Sequence, residues 1–236
     1  MMTAHLLRRA VALAAGATLF LFNPLARASE STTGSAERLS PEDALKRLVE
    51  ANGRFVANKP LHPHADTQWR QSLVGTQHPF AVILGCSDSR VPAELVFDQG
   101  FGDLFVIRVA GNAAGVDECG SIEYAVEHLG ASIVVVLGHE SCGAVTAALG
   151  TASETRQEPR ELQELLEHIR PSLRDIPVNA EKAKKVETGV EANVRTEVLL
   201  LQKLPMLHEM EKEHKLKVVG GVYHLGTGLV TVLDGK

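Results

Sequence analysis

The chain has 236 residues, of which 44% are hydrophobic, 22% are charged and only 4% are aromatic. This length and apolar fraction are sufficient for one globular domain with a buried core, and they exclude a fibrous or intrinsically disordered chain. The 24 basic and 29 acidic residues give a formal net charge of -5. Because a negative chain repels the phosphate backbone, we predict no nucleic-acid partner.

The first 28 residues have the layout of a secretory signal peptide. Arg8 and Arg9 precede an apolar stretch over residues 10–22, and Ala26-Arg27-Ala28 places small residues at a signal-peptidase site. The apolar stretch is short for a membrane span. We predict cleavage after Ala28, a periplasmic or secreted protein, and no membrane span in the mature chain. An uncleaved anchor, and export by the twin-arginine route, are the alternatives.

Residues 29–78 are predicted to form a polar leader followed by a helical arm. The run Ser40-Pro41-Glu42-Asp43 is typical of a helix start, with an N-cap, a proline and two acids in the first turn. This helix is predicted to continue to about Asn58. Residues 59–78 are rich in proline, histidine and polar side chains, so we predict an extended arm with one short helix over residues 66–73.

We place one domain at residues 29–236, and after residue 78 it alternates between apolar runs and helical patterns. The predicted strands are residues 80–85, 104–109, 132–137 and 217–223, and the predicted helices are residues 117–129, 142–149, 160–169 and 179–204. Continuous Val, Ile and Leu runs are typical of strands that are covered on both faces, as in a parallel sheet. We predict an α/β fold with a mostly parallel sheet of four to five strands, flanked by helices.

Two of the predicted strands end in reactive side chains. Cys86 follows the first strand, and His139 and Cys142 follow the third, three residues apart. Ligands collect at the carboxyl ends of parallel strands. Two thiolates and one imidazole suit tetrahedral zinc, and three protein ligands leave the fourth position open, as in catalytic sites. A helix start at Cys142 favours its thiolate form, whereas the remaining Cys119 is predicted to be a buried apolar residue.

Asp88 and Arg90 follow the first of these cysteines closely. A carboxylate two residues from a ligand can bind the metal itself or accept a hydrogen bond from metal-bound water. A neighbouring arginine can hold that carboxylate ionised and oriented. The pair therefore indicates a reactive centre more than a purely structural metal site.

Together these strand ends resemble the signature of the β-class carbonic anhydrases, Cys-x-Asp-x-Arg followed roughly fifty residues later by His-x-x-Cys. The resemblance extends through Gly120-Ser121-Ile122-Glu123-Tyr124 and covers most of the mature chain. It implies one zinc ion per chain, held by Cys86, His139 and Cys142, and reversible hydration of CO2 to bicarbonate and a proton. In that mechanism zinc-bound hydroxide attacks CO2 while the Asp88–Arg90 dyad orients it.

The same resemblance implies a substrate pocket and an assembly. Gln77 matches a glutamine that donates a hydrogen bond to the substrate, and Phe105 and Tyr124 match residues that line an apolar CO2 pocket, part of which comes from the adjoining subunit. A homodimer or a dimer of dimers is expected. Family members that lock the site with bicarbonate carry a tryptophan three residues before the first cysteine. Ile83 stands there, and the single tryptophan is Trp69, so we predict an open site.

Three alternatives remain at the level of the sequence. The same fold and metal could hydrolyse a CO2 analogue, such as carbonyl sulfide or carbon disulfide. The chain could also be a non-catalytic zinc-binding protein, although metal storage alone needs none of Gln77, Asp88 and Arg90. A thiol redox protein is disfavoured because Cys86 and Cys142 are 56 positions apart and no C-x-x-C motif is present.

Overall fold

A five-stranded sheet forms the centre of the fold in the computed structural model, which describes residues 38–177 and 179–233. The strands are β1 (Ala81–Gly85), β2 (Leu104–Arg108), β3 (Ile133–His139), β4 (Lys217–Tyr223) and β5 (Val230–Leu233). They lie in the order β2-β1-β3-β4-β5, and only β5 runs antiparallel to its neighbour. The predicted signal peptide, residues 1–28, falls outside the described residues.

Helices surround this sheet and connect its parallel strands. They are α1 (Pro41–Val56), α2 (Thr67–Ser72), α3 (Ala93–Val96), α4 (Val116–Leu129), α5 (Gly143–Ala148), α6 (Ala152–Thr155), α7 (Arg160–Ile169), α8 (Lys182–Leu201) and α9 (Pro205–Lys212), with 3-10 turns at Ala110–Asn112 and Arg170–Leu173. Over the two described stretches, no helix combines the length and the apolar character needed to cross a bilayer. The predicted mostly parallel α/β architecture is confirmed.

Strands β1 and β3 are buried along their whole length, as their unbroken runs of apolar residues predict. Val82 and Val134 belong to the apolar cluster that includes residues of α4 and α8, whereas Ile83 and Val135 belong to the cluster that includes residues of α1 and α3. Each fully buried side chain of this kind contributes about 1.5–3 kcal/mol. Helices therefore cover both faces of the sheet, which leaves only the strand ends available for chemistry.

Helix α1 is fixed to the rest of the domain by one buried asparagine. The helix begins after Ser40, whose Oγ accepts from the backbone N–H of Asp43. Further along, Asn52 donates to the carbonyls of Val96 and Gly228. Its Oδ1 also accepts from the backbone N–H of Val230. Helix α1 is thereby bonded to the end of α3 and to the segment that leads into β5.

Two buried aspartates lie in the connection between α3 and β2. Asp98 accepts from Arg54 Nε at 2.7 Å and from the backbone N–H groups of Leu61 and His62. Asp103 lies 2.8 Å from Arg47 Nη2 and 2.9 Å from His64 Nδ1. The His64 ring stacks on Trp69, with their centroids 3.8 Å apart. The extended arm is therefore held by ion pairs and aromatic stacking.

The structure differs from the predicted elements mainly near the carboxyl terminus. The helix predicted over residues 179–204 is confirmed as α8, and Pro205 begins a further helix, α9, that no individual prediction located. The four named strands are confirmed, and β5 adds a fifth that no individual prediction located. The short helix of the arm is also as predicted, and Asp66 is its N-cap.

Candidate metal centre

The three predicted metal ligands meet at the carboxyl ends of neighbouring strands. Cys86 follows β1 directly, His139 is the last residue of β3, and Cys142 is the N-cap of α5. All three side chains are buried. Their candidate ligand atoms lie within 4.8 Å of one another. The pairing of β1 with β3 brings these residues together, although they are far apart in sequence.

A tight turn carries the chain from His139 to Cys142. Glu140 donates its backbone N–H to the carbonyl of Tyr223 at 3.0 Å, which extends the pairing of β3 with β4 by one residue. Ser141 then adopts a left-handed conformation with φ of 55°. This reversal directs the chain into α5 and places the sulfur of Cys142 beside the imidazole.

His139 has one nitrogen in use and one without a partner. Its Nδ1 lies 2.8 Å from the carbonyl oxygen of Glu140 and donates to it, which leaves Nε2 with a free lone pair. Nε2 is buried and has no hydrogen-bond partner. Burying an unpaired polar atom is costly. An imidazole nitrogen of this kind beside two cysteine sulfurs is the donor set that zinc prefers, so the residues fit that metal.

The two cysteines are linked by a hydrogen bond between their sulfurs. This bond lowers the pKa of the Cys86 thiol, and it acts together with burial to raise the pKa of Cys142. The sequence favoured the thiolate at Cys142 because of its place at a helix start. The raised pKa of Cys142 is opposite in direction to that prediction when no metal is bound. Cys119, the third cysteine, is only partly buried and is not part of the cluster.

Asp88 and Arg90 form a bidentate ion pair beside the ligands. Arg90 donates from Nε to Oδ1 at 2.8 Å and from Nη2 to Oδ2 at 2.6 Å, and its backbone N–H adds a third bond. These bonds hold the pKa of the Asp88 carboxyl far below its usual range. Oδ2 also lies 3.8 Å from His139 Nε2. An ionised carboxylate therefore faces the place where a metal would bind.

Two residues that the sequence analysis did not single out support this loop. Arg108, at the end of β2, donates from Nε to the carbonyl of Cys86 at 3.0 Å and from Nη2 to that of Asp88 at 2.7 Å. Gly111 donates its backbone N–H to the sulfur of Cys86 at 3.3 Å. The sequence could have indicated Arg108, because this arginine ends an otherwise apolar strand and pairs in register with Gly85, the residue before Cys86.

The hydrogen-bonded side chains of Glu140 and His224 support the turn from the solvent side. Glu140 Oε1 lies 2.7 Å from His224 Nδ1, and Oε2 accepts from the backbone N–H of Leu225. The hydrogen bond with His224 lowers the pKa of the Glu140 carboxyl. Both side chains are partly solvent-exposed. Because each polar group has a partner, this pair needs no metal to satisfy it.

The predicted substrate residues lie apart from these ligands within one chain. Gln77 is exposed and precedes β1, whereas Cys86 follows that strand, which spans about 16 Å. Phe105 pairs in register with Val82, well before the metal end of the sheet, and its ring lies 6.4 Å from that of Tyr124. A single chain therefore does not bring Gln77, Phe105 and Tyr124 to its own metal centre.

Comparison with known proteins identifies this arrangement. The sequence profile described as carbonic anhydrase matches residues 81–230, which include all three candidate ligands. Carbonic anhydrase 2 of Mycobacterium tuberculosis is 38% identical over 83% of this chain and 94% of its own length.

Solved structures agree with the sequence comparison. The β-carbonic anhydrase CcaA is 30% identical with a TM-score of 0.67, over 81% of this chain and 95% of that one. A tetrameric β-carbonic anhydrase from Sordaria macrospora is 25% identical with a TM-score of 0.65, over 81% and 98% of the two chains. The chain therefore belongs to the β-class carbonic anhydrases and is an enzyme of that family.

Proposed function

We propose that the enzyme interconverts CO2 and bicarbonate with one Zn2+ per chain, bound by Cys86, His139 and Cys142. The observation that carries this proposal is the buried, unpartnered Nε2 of His139 among two cysteine sulfurs, in a carbonic anhydrase fold. When bound, zinc supplies a Lewis acid that makes water a nucleophile near neutral pH. Of the hydrogen-bonded cysteines, Cys142 must release its proton for both sulfurs to bind the metal as thiolates.

Asp88 is proposed to accept a hydrogen bond from the reacting water. The hydrogen bonds from Arg90 hold the pKa of its carboxyl far below the usual range, and Oδ2 faces the ligand cluster. An anionic acceptor at that position hydrogen-bonds the O–H of the nucleophile and turns its lone pair toward CO2. Arg90 fixes the carboxylate through two parallel bonds, so the acceptor is already oriented before substrate arrives.

An open site without a bicarbonate lock is part of the proposal. Asp88 is engaged by Arg90 through both carboxylate oxygens, which favours an aspartate that stays away from the metal. Ile83, at the position where a tryptophan would mark the locked kind, is fully buried in the sheet. Both observations support a fourth metal position that is available to water.

The substrate pocket is proposed to be completed by a second copy of the chain. Gln77, Phe105 and Tyr124 lie away from the ligands of their own chain, and Tyr124 is 49% exposed beside the unpaired edge of β2. Association of two chains along this edge would let each supply these residues to the other. The tetrameric relative favours a homodimer or a dimer of dimers. Cross-linking followed by mass measurement distinguishes the two.

Export is proposed from the sequence of residues 1–28. We expect the mature protein to begin at Ser29 and to be periplasmic or secreted, with the catalytic domain at residues 29–236. Intact-mass measurement of the protein recovered from a bacterial periplasm tests this. A mass that still includes residues 1–28 would contradict cleavage.

The experiment that tests the reaction is stopped-flow CO2 hydration by the purified protein, with the zinc content measured on the same sample. Carbonyl sulfide and carbon disulfide are assayed in parallel. Fast CO2 turnover at about one zinc per chain is the expected result. Full zinc occupancy with turnover of only the sulfur analogues would assign the analogue hydrolase instead, and occupancy without any turnover would indicate a non-catalytic zinc protein.

A further inference from the structure

Helix α8 carries a buried polar residue that the reaction outlined above does not use. Its inward face is formed mainly by valines, including Val190 and Val194, but Asn193 lies between them and is only 1% exposed. A buried carboxamide in an apolar helix face is costly unless it is hydrogen-bonded. Asn193 is bonded at both ends. Nδ2 donates to the carbonyl of Gly111 at 2.8 Å, and Oδ1 accepts from Ser172 Oγ at 3.3 Å.

Gly111 connects this asparagine to the metal centre. The carbonyl of Gly111 accepts from Asn193, and the N–H of the same residue, in the preceding peptide unit, donates to the sulfur of Cys86 3.3 Å away. The backbone here has φ of 72°, a conformation that favours glycine. A Cβ at this position would lie 2.6 Å from Ile169 Cδ1. The turn can therefore hold its N–H against the sulfur only with glycine at this position.

The same helix also closes on the strand that carries the histidine. Gly138 directly precedes His139, and a Cβ placed on it would lie 2.5 Å from Val194 Cγ2 and 3.1 Å from Val190 Cγ1. Helix α8 therefore packs against the backbone next to one ligand and bonds to the turn beside another. Asn193 lies between these two contacts, where a hydrogen bond can fix the separation of helix and turn.

We infer that Asn193 is a positioning residue for the Cys86 thiolate of the metal centre and acts through the backbone of Gly111. The inference rests on the zinc site of the proposed function and extends it to a residue outside the ligand set. An N–H donor stabilises negative charge on a metal-bound sulfur and restrains its direction. Without the carboxamide, the Gly111 turn loses its tie to α8, and its N–H is free to move away from the sulfur.

The test uses Asn193→Leu, which removes both hydrogen bonds but keeps the branched shape of the side chain, and Asn193→Ala, which adds no bulk should leucine prevent folding. Leu201→Ala is the matched control, because Leu201 is fully buried on the same helix but belongs to the apolar cluster away from the cysteines. It weakens the packing of α8 and leaves the Gly111 contact intact. Circular dichroism establishes that each variant is folded.

Two readouts do not depend on catalysis. The first is zinc affinity by competition with a chromophoric chelator, and the second is the thiolate-to-metal charge-transfer band of the Co2+-substituted protein. Loss of a partner that orients a ligand lowers metal affinity by about 10–100-fold. We expect the Asn193 variants to lose affinity in that range. We also expect a band at lower energy, because a sulfur without its N–H donor holds its electrons less tightly.

The outcomes separate this inference from the zinc assignment. If the wild-type protein binds neither zinc nor Co2+, the proposed function fails and the inference fails with it. If the wild-type protein binds both and the Asn193 variants keep its affinity and band position, the positioning inference alone is overturned. Equal changes in Leu201→Ala would also overturn it, since they would show that loosening α8 is sufficient.

Discussion

Two buried polar regions of the domain differ in how their groups are satisfied. In the connection between α3 and β2, Asp98 and Asp103 are buried, and each carboxylate is met by an arginine, a histidine or a backbone N–H. At the carboxyl end of the sheet, His139 Nε2 is buried with no hydrogen-bond partner and lies among cysteine sulfurs. The α3–β2 connection is complete within the protein, whereas the carboxyl end keeps an unused metal-binding atom.

This difference separates residues that stabilise the fold from residues that perform chemistry. A satisfied buried ion pair can be removed at a cost in stability, but it has no unused bonding capacity to offer a ligand. A buried ligand atom without a partner costs stability and supplies that capacity. Variants at the carboxyl end of the sheet should therefore change metal binding and rate, and variants in the α3–β2 connection should change the free energy of unfolding.

The largest expected effect comes from removing one ligand. Cys142→Ser should lower zinc affinity by more than about 100-fold, since even loss of an outer hydrogen-bond partner costs 10–100-fold. Cys119→Ser is the matched control, because Cys119 lies outside the cluster and should leave zinc bound at one per chain. Metal analysis after dialysis provides the measurement. Stoichiometric zinc in the Cys142 variant would refute its assignment as a ligand.

The next largest effect is expected on the rate of CO2 hydration, in a variant that keeps its zinc. Asp88→Asn keeps the shape of the side chain but removes its charge and its ion pair with Arg90. We expect CO2 hydration to fall by about 100-fold or more, while zinc stays bound. Stopped-flow assays with parallel metal analysis measure both quantities. An unchanged rate would show that the dyad does not take part in the reaction.

In the α3–β2 connection, Asp98→Ala should reduce stability by about 3 kcal/mol, because it leaves Arg54 and two backbone N–H groups without their acceptor. Zinc content should not change. Guanidinium unfolding monitored by circular dichroism measures the loss. A variant that unfolds like the wild type but loses zinc would contradict the division between the two regions.

The pH dependence of the stability difference between the wild type and Asp98→Ala provides a further check. Burial raises the pKa of Asp98, but hydrogen bonds from Leu61, Arg54 and His62 outweigh it, so the folded-state pKa is lowered. The stabilisation is therefore fully present above the unfolded-state pKa of about 3.9, and it is lost as pH falls through the folded-state value. The stability difference between wild type and Asp98→Ala should shrink below about pH 4. A constant difference would contradict the ion-pair explanation.

The smallest effect is expected for a satisfied pair at the metal end. Glu140→Gln replaces the carboxylate that meets His224 but keeps an amide able to hydrogen-bond. Because both side chains are partly exposed, the cost should be below about 1 kcal/mol, and zinc should remain bound. Thermal unfolding and metal analysis test this. Loss of zinc would show that a side chain close to the ligands affects metal binding even when its own hydrogen bonds are satisfied.

The sequence predicted the parts of the fold that repeat a simple pattern. Unbroken apolar runs located the four parallel strands, and the reactive residues after two of them predicted the cluster of Cys86, His139 and Cys142. Strand β5 was not located because it is a short edge strand whose pairing with β4 depends on a turn. Helix α9 was not located, although the proline at its first position is typical of a helix start.

The surroundings of the site were harder to predict because they depend on contacts between distant segments. Asn193 is about fifty residues from the nearest ligand, and Gly111 acts through its backbone, which carries no sequence signature. One signal was present. Asn193 and Glu197 interrupt an otherwise apolar helix face, and a polar residue at a buried position needs a partner. The sequence could therefore have indicated that such a partner exists, but not that it touches the metal centre.

The most direct test of the central claim is zinc K-edge absorption spectroscopy of the zinc-loaded protein at one metal per chain. The unsatisfied carboxyl end of the sheet predicts two sulfur neighbours and one imidazole around each zinc ion, with both sulfurs supplied by Cys86 and Cys142. A zinc environment without sulfur, or with four sulfur neighbours, would contradict the claim that this end of the sheet is completed by a catalytic cation.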